Sequence, residues 1–337
     1  MKNNNTVNMK DNKKFIDNLL APYQPQLPIE QLVMEVNKLY HAVEASDYDT
    51  SHDEIYQQLP SIFEEMVAQA KKHSQTDVWR ILDFGCGTGF EAEQLIRLLP
   101  QESIAQLTCY DYSPEMLARC RSQIESLIPN ASFTSDLKAL PAMEEPYNLL
   151  ITNSLLHHLP DPLSTINQLL PLLSLDALWL AGHEPSSRFY KNAECTKMYE
   201  EFWAERKWRK FLSPTRYFDE LQRIIGMKSN PAKYAATESF RKGLFKQKPP
   251  NLIIDRLVDF HVAHSVEEAA NGRGFDFEIM EQDFSTSWQL VWLKTYSFMG
   301  SFYEATLPPR WVKASREAAQ NFPKDGANFC SLWVRGV

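Results

Sequence analysis

With 337 residues, 44% of them apolar and 12% aromatic, the chain can bury a large core without a disulfide or metal staple. Its 23% charged residues and mean hydropathy of -0.39 exclude wholesale disorder and a membrane bundle. A net charge of -8, from 35 Lys and Arg against 43 Asp and Glu, speaks against general DNA binding, whose nonspecific affinity rests on many cations at phosphates.

Residues 1–20 open with MKNNNTVNMKDNKK, which is polar and has no apolar signal core, so they are expected to be disordered. The most apolar later stretch, Leu169 to Leu180, is broken by Pro171 and Asp176 and is too short for a bilayer span. Cys86, Cys109, Cys120, Cys195 and Cys330 form no CxxC pair and leave an odd one, so neither a disulfide framework nor a zinc knuckle is indicated. Reduced thiols and the missing signal core predict a cytoplasmic protein.

The useful pattern is strand and helix alternation. Val78 to Phe84 reads as a buried parallel strand that runs into a glycine loop, and a helix follows from Phe90 until Pro100 stops it. Leu107 to Tyr110 is a second strand, after which Ser113 caps a helix with Pro114 in its first turn. Ala131 to Thr134 is a weaker third strand and Tyr147 to Thr152 a fourth. Asp161 and Pro162 repeat the cap-then-proline signal, and Ala177 to Gly182 is the fifth strand.

From 188 to 271 the alternation stops and the chain reads as helical, with helices expected in RFYKNAECTKMYEEFWAERKWRKFL, SPTRYFDELQRIIG and NLIIDRLVDFHVAH. Residues 188–250 hold 15 Lys and Arg against 7 Asp and Glu, a net of +8, so the remainder carries -16. This basic insert is where an anion would be drawn, and its place after the fifth strand predicts a lid over the acceptor. Its Phe189, Tyr190, Phe202, Trp203 and Trp208 either line an acceptor pocket or form the core of a helical pair. A last helix, strand, helix and strand, ending at Asn328 to Arg335, complete the pattern. The expected fold is α/β: a Rossmann-like, doubly wound, mostly parallel seven-stranded sheet, with its core in 21–187 and 272–337 and ligands beyond the carboxyl ends of the strands.

The chemistry rests on Asp83-Phe84-Gly85-Cys86-Gly87-Thr88-Gly89. Alternating glycines after a strand let the backbone turn sharply against a ligand. A dinucleotide fingerprint needs its third glycine where Phe90 stands, and the Gly-Lys-Ser/Thr ending of a phosphate loop is missing. LDFGCGTG, the acid of CYDYSPEML, the SDL after the third strand and LLITNSLLHHLPDP on the fourth together resemble the class I S-adenosylmethionine-dependent methyltransferases, over about residues 78–184. The resemblance implies that Asp83 holds the methionine amino group, directly or through water, and that Gly85, Gly87 and Gly89 line the methionine and ribose. Asp111 would accept both ribose hydroxyls, Tyr112 flank the adenine, Asp136 accept its amino group, Leu137 cover it, and Asn153 lie near the methionine part. Asn148 replaces the acid usual at the start of the fourth strand. Tyr48 and His52 resemble a segment that folds over the cofactor in the small-molecule branch.

Methyl transfer from a sulfonium gains most from positioning, and a base is needed only when the acceptor must lose a proton. His157 and His158 are candidate bases, with packing and loop capping as the plainer alternative. His183 and Glu184 end the fifth strand on the ligand side, where Glu184 would orient His183 or a substrate amine, or else bond the loop. His261 and His264 have metal-ligand spacing with Asp259 nearby, but an ordinary helix surface is the simpler reading and no metal is expected. The expected activity is S-adenosylmethionine-dependent methyl transfer to a small or carrier-held acceptor. An NAD(P)-dependent oxidoreductase and a non-catalytic binding module are the alternatives. The acceptor atom and the oligomeric state stay open.

Overall fold

The computed structural model describes residues 9–45, 53–140, 145–211, 230–300 and 304–336; Tyr48, His52 and the stretch 213–226 lie outside them. Its centre is a seven-stranded sheet of order β3-β2-β1-β4-β5-β7-β6. The strands are β1 (Trp79–Phe84), β2 (Ile104–Tyr110), β3 (Ser132–Thr134), β4 (Tyr147–Asn153), β5 (Leu173–Pro185), β6 (Trp288–Tyr296) and β7 (Asn328–Arg335). The first five pair in parallel, and β7 lies antiparallel between β5 and β6.

Side chains alternate across the strands, so two cores form. On one face Ile81, Leu107, Ile151 and Leu180 pack with Phe63, Met66, Leu95, Cys120 and Ile124. On the other Leu82, Leu150, Trp179 and Trp333 pack with Ile166, Leu169, Met280 and Phe284. Trp179 and Trp333 stack at 5.5 Å between ring centroids, and the Trp179 indole N–H donates to Thr152 at 2.9 Å, which keeps a buried polar group satisfied.

The described α-helices of eight residues or more are α1 (Met9–Leu20), α2 (Ile29–Glu44), α3 (Asp53–His73), α4 (Phe90–Leu98), α5 (Pro114–Ile124), α6 (Pro162–Leu169), α7 (Ala193–Phe211), α8 (Pro231–Arg241), α9 (Asn251–Val258), α10 (Phe277–Phe284) and α11 (Pro309–Asn321). The two cap-then-proline signals act as expected. Ser113 Oγ accepts from the Met116 N–H, and Asp161 Oδ1 from the Ser164 N–H.

Three features of the organisation were not expected. Residues 9–20 are helical rather than disordered, because the polar opening hides an apolar edge: Ile16 and Leu20 are buried against α2 and α9. The insert also packs on the N-terminal helices, with Leu32, Val33 and Val36 of α2 against Ala232, Ala235 and Ala236 of α8 and Ile254 and Leu257 of α9. The N-terminal helices and the insert therefore form one helical layer. Finally, α9 stops at Val258, so His261 lies in the turn beyond it and is buried rather than on a helix surface.

Among the insert aromatics, Phe189 packs with Phe298, and Phe202 packs with Met299 and Trp311, so these two belong to apolar clusters at the C-terminal side. Trp208 is exposed. No helix among the described residues is long and apolar enough to cross a membrane.

Candidate functional site

The carboxyl ends of β1, β2 and β4 open into a cavity of about 460 Å³. Its floor is the glycine loop. The Gly85 and Cys86 N–H groups donate to the Tyr110 carbonyl at 2.8 and 3.0 Å, which ties the loop to β2. Gly85 has φ +85° and a Cβ there would stand 2.7 Å from Leu155 Cδ1, while Gly89 has φ +101° with the Cys120 backbone at 3.2 Å. Both positions require glycine for conformation and for space. Phe90, where a dinucleotide loop would have its third glycine, packs instead against Phe63 with ring centroids at 6.3 Å.

Asp111 sits at the end of β2 and holds the loop: its Oδ2 accepts from the Gly87 N–H and its Oδ1 from the Ser113 N–H, both at 2.8 Å. Burial pushes its pKa above the ordinary carboxylate value, and those two amides pull it part of the way back. Each oxygen keeps a further lone pair for a hydroxyl donor. Tyr112 lies beside it, fixed by a 3.0 Å hydrogen bond to Glu35, with Lys38 Nζ 5.5 Å from its ring centre.

Asp83 is buried beneath the loop, and neither carboxylate oxygen has a hydrogen-bond partner of good geometry. Burial, followed by the nearby Glu91 carboxylate, pushes its pKa well above the ordinary carboxylate range. Two buried acids without a cation between them suit a cationic ligand. Glu91 lies in the first turn of α4 and lines the cavity; burial pushes it up to about 8. Asn153 at the end of β4 donates Nδ2 to Glu91 Oε1 at 2.5 Å.

Of the expected cofactor residues, Gly85, Gly87, Asp111, Tyr112, Leu137 and Asn153 line the cavity. Asp83 lies under it. Gly89 supports the loop, and Asp136 caps the turn Leu137–Ala139 by accepting from the Lys138 N–H.

Of the four candidate catalytic residues, only His158 lines the cavity. Glu184 is fully buried and accepts from the Leu155 N–H (3.0 Å), the Leu156 N–H (2.8 Å), the His157 N–H (3.1 Å) and, at 2.9 Å, His157 Nδ1. It orients the loop after β4 rather than His183. Burial alone would lower the His157 pKa, but the Glu184 carboxylate outweighs it and the net shift is upward. His158 goes the other way, well below its ordinary value, from burial and then from the charge of His157 and His41. His183, at φ +52° in the β5 bulge, bonds Tyr296 Oη at 2.6 Å.

The cavity wall supplied by α2 was not apparent from motifs. Glu30, Met34, Asn37, Lys38 and His41 face the cavity while Ile29, Leu32, Val36 and Leu39 face the helical layer. Its signal is the i, i+4, i+7, i+8, i+11 spacing of those residues. No described residue of 188–271 lines this cavity; α2 forms part of its wall, and the described insert helices α8 and α9 pack against α2.

Residues 81–174 match the family model described as a methyltransferase domain. A malonyl-[acyl-carrier protein] O-methyltransferase of Bacillus cereus is 30% identical over 131 residues, which cover 38% of this chain and 46% of the relative. The same-named protein of Bacillus anthracis is 31% identical over 112 residues, covering 33% and 39%. The match thus spans less than half the length of these curated relatives. Among solved structures, the plantazolicin methyltransferase BpumL in complex with SAH aligns at a TM-score of 0.45 and 14% identity over 92% of this chain and 99% of that one.

Proposed function

We propose that the chain carries a class I, S-adenosylmethionine-dependent methyltransferase domain and that it methylates a carboxylate oxygen of an acyl group held on a carrier protein. The observation that carries the cofactor reading is the glycine loop docked on Asp111 above the orphaned carboxylate of Asp83. The acceptor reading rests on the relatives, which are named for O-methylation of a carrier-bound malonyl group.

The residues present fit the cofactor. Asp83 and Glu91 offer buried negative charge for a cationic methionine part, Asp111 offers two oxygens to ribose hydroxyls, and Tyr112 and Leu137 offer flat and apolar cover to an adenine. When bound, S-adenosylmethionine supplies an electrophilic methyl on a sulfonium. A carboxylate acceptor is already ionised near neutral pH, so the chain needs no general base for it. Its task is to hold the acceptor oxygen in line and to keep water out. Lys38 on α2 puts a cation on the cavity wall for an acceptor carboxylate. The net +8 of 188–250 would attract a carrier of acidic surface.

The test is intact-mass spectrometry of malonyl-loaded acyl carrier protein after incubation with the chain and S-adenosylmethionine bearing a deuterated methyl. A labelled methyl ester on the carrier supports the reading. Labelling of free small acids alone moves the acceptor off the carrier, and no labelling of either refutes carboxylate O-methylation.

A further inference from the structure

Behind the cavity wall, the turn Leu156–His158 after β4 meets the turn that leaves α9. The His261 N–H donates to the His157 carbonyl at 2.9 Å, which fixes one turn on the other. One ring nitrogen of His157, one of His158 and a carboxylate oxygen of Asp259 all lie within 4.8 Å of one another.

One nitrogen of each ring, Nδ1, is already committed. His158 Nδ1 is 2.7 Å from the Val258 carbonyl, which can only accept, so Nδ1 carries the proton and Nε2 presents a lone pair. His157 Nδ1 is 2.9 Å from a Glu184 oxygen and is set in the same way. Metal-bound histidines are held like this, with the other ring N–H given to a carboxylate or a carbonyl. The turn bearing Asp259 is also rigid: the buried Arg273 donates Nη2 to the Asp259 backbone carbonyl and Nε to that of Val262.

We propose that His157, His158 and Asp259 form a binding site for a divalent first-row transition-metal ion such as zinc. Two imidazoles and one carboxylate are the donor set such ions accept. Tetrahedral ligands about 2.0–2.2 Å from zinc stand roughly 3.4 Å apart. The three atoms therefore need to close by no more than about 1.4 Å, which small side-chain rotations supply. His41 adds a third imidazole beside the group, its ring centroid 5.4 Å from that of His158 and its Nδ1 facing Glu44 at 2.9 Å. Because His158 also lines the cavity, the ion would sit at the cavity wall.

A second cluster, Cys86, Cys109 and Cys120, has all its sulfurs within the same limit of one another, so the test must separate sulfur from nitrogen ligation. The tag-free full chain is stripped with EDTA and titrated with Zn²⁺ and Co²⁺. One equivalent is expected to bind, with cobalt ligand-field bands and no thiolate-to-cobalt charge transfer. Asp259→Asn and His158→Gln lower zinc affinity at least about tenfold, and Glu184→Gln lowers it by roughly ten- to a hundredfold through His157. His264→Gln, at an exposed position outside the group, leaves it unchanged. Circular dichroism checks that each variant folds, and X-ray absorption of the zinc-loaded parent, which needs no variant, should find nitrogen and oxygen neighbours only. Absence of stoichiometric binding, sulfur among the ligands, or unchanged affinity in folded Asp259→Asn overturns the proposal. S-adenosylhomocysteine titration of the metal-free chain reports on the cofactor separately.

Discussion

Asn153 at the end of β4 donates to Glu91 in the first turn of α4 at 2.5 Å, joining two loops that each border the candidate cofactor cavity. The bond leaves Glu91 buried beside Asp83 with its pKa pushed up to about 8, so near neutral pH it carries a proton that a cationic ligand would displace.

Because burial raises Glu91, the folded chain binds a proton that the unfolded chain releases between about pH 4.5 and 8. Its contribution to stability is present below that window and is lost as pH rises through about 8. Cation binding follows the opposite sign. Affinity for S-adenosylmethionine is expected to rise from pH 6 to 8, by at most about tenfold per unit for one proton released. Calorimetry in two buffers of different ionisation enthalpy should detect that proton. Glu91→Gln should flatten the profile, and a flat profile in the parent would count against the buried acid as part of the site.

Asp111 serves both loop and ligand, so Asp111→Ala removes two charge-assisted acceptors. At about 1.5 kcal/mol or more each, S-adenosylhomocysteine affinity should fall on the order of a hundredfold. Asp111→Asn, which keeps one acceptor oxygen, should fall less. Parent-like affinity in the alanine variant would refute the ribose assignment.

Glu184→Gln sets an amide against backbone N–H donors in a fully buried position, and a loss of about 3 kcal/mol in denaturant unfolding is expected. Its partner His157 is raised by the carboxylate, so the pair's contribution is fully present below the ordinary histidine pKa and is lost as pH rises through the raised value. The variant should therefore lose more at pH 6 than at pH 9.

Gly85→Ala meets two separate obstacles, a backbone at φ +85° and the Leu155 side chain at 2.7 Å. A destabilisation of roughly 1–3 kcal/mol is expected. Adding Leu155→Ala should return only the steric share, which a double-mutant cycle reads as a favourable coupling. Strictly additive losses would show that the contact contributes nothing.

The strands were legible because β1, β4 and β5 are apolar runs bounded by turn signals, and the capped helices because Ser113-Pro114 and Asp161-Pro162 satisfy terminal N–H groups by local chemistry. The glycine loop was legible for the same reason: its spacing is a backbone requirement. The role of Glu184 was left between orienting a group and bonding the loop, because HisGlu at a strand end does not reveal that the carboxylate turns under the neighbouring loop to collect three N–H groups. Glu91 passed unnoticed because its role arises from Asn153, 62 residues away. The partnership of α2 with the insert was hidden as well, since each helix carries an apolar face and only the fold decides which faces meet.

The central claim is that the cavity above Asp83 and Asp111 is an S-adenosylmethionine site. Titration calorimetry of one preparation with S-adenosylhomocysteine and, separately, with NADH tests it most directly. The expected result is saturable binding of S-adenosylhomocysteine at one site per chain and no binding of NADH; binding of NADH alone would contradict the account.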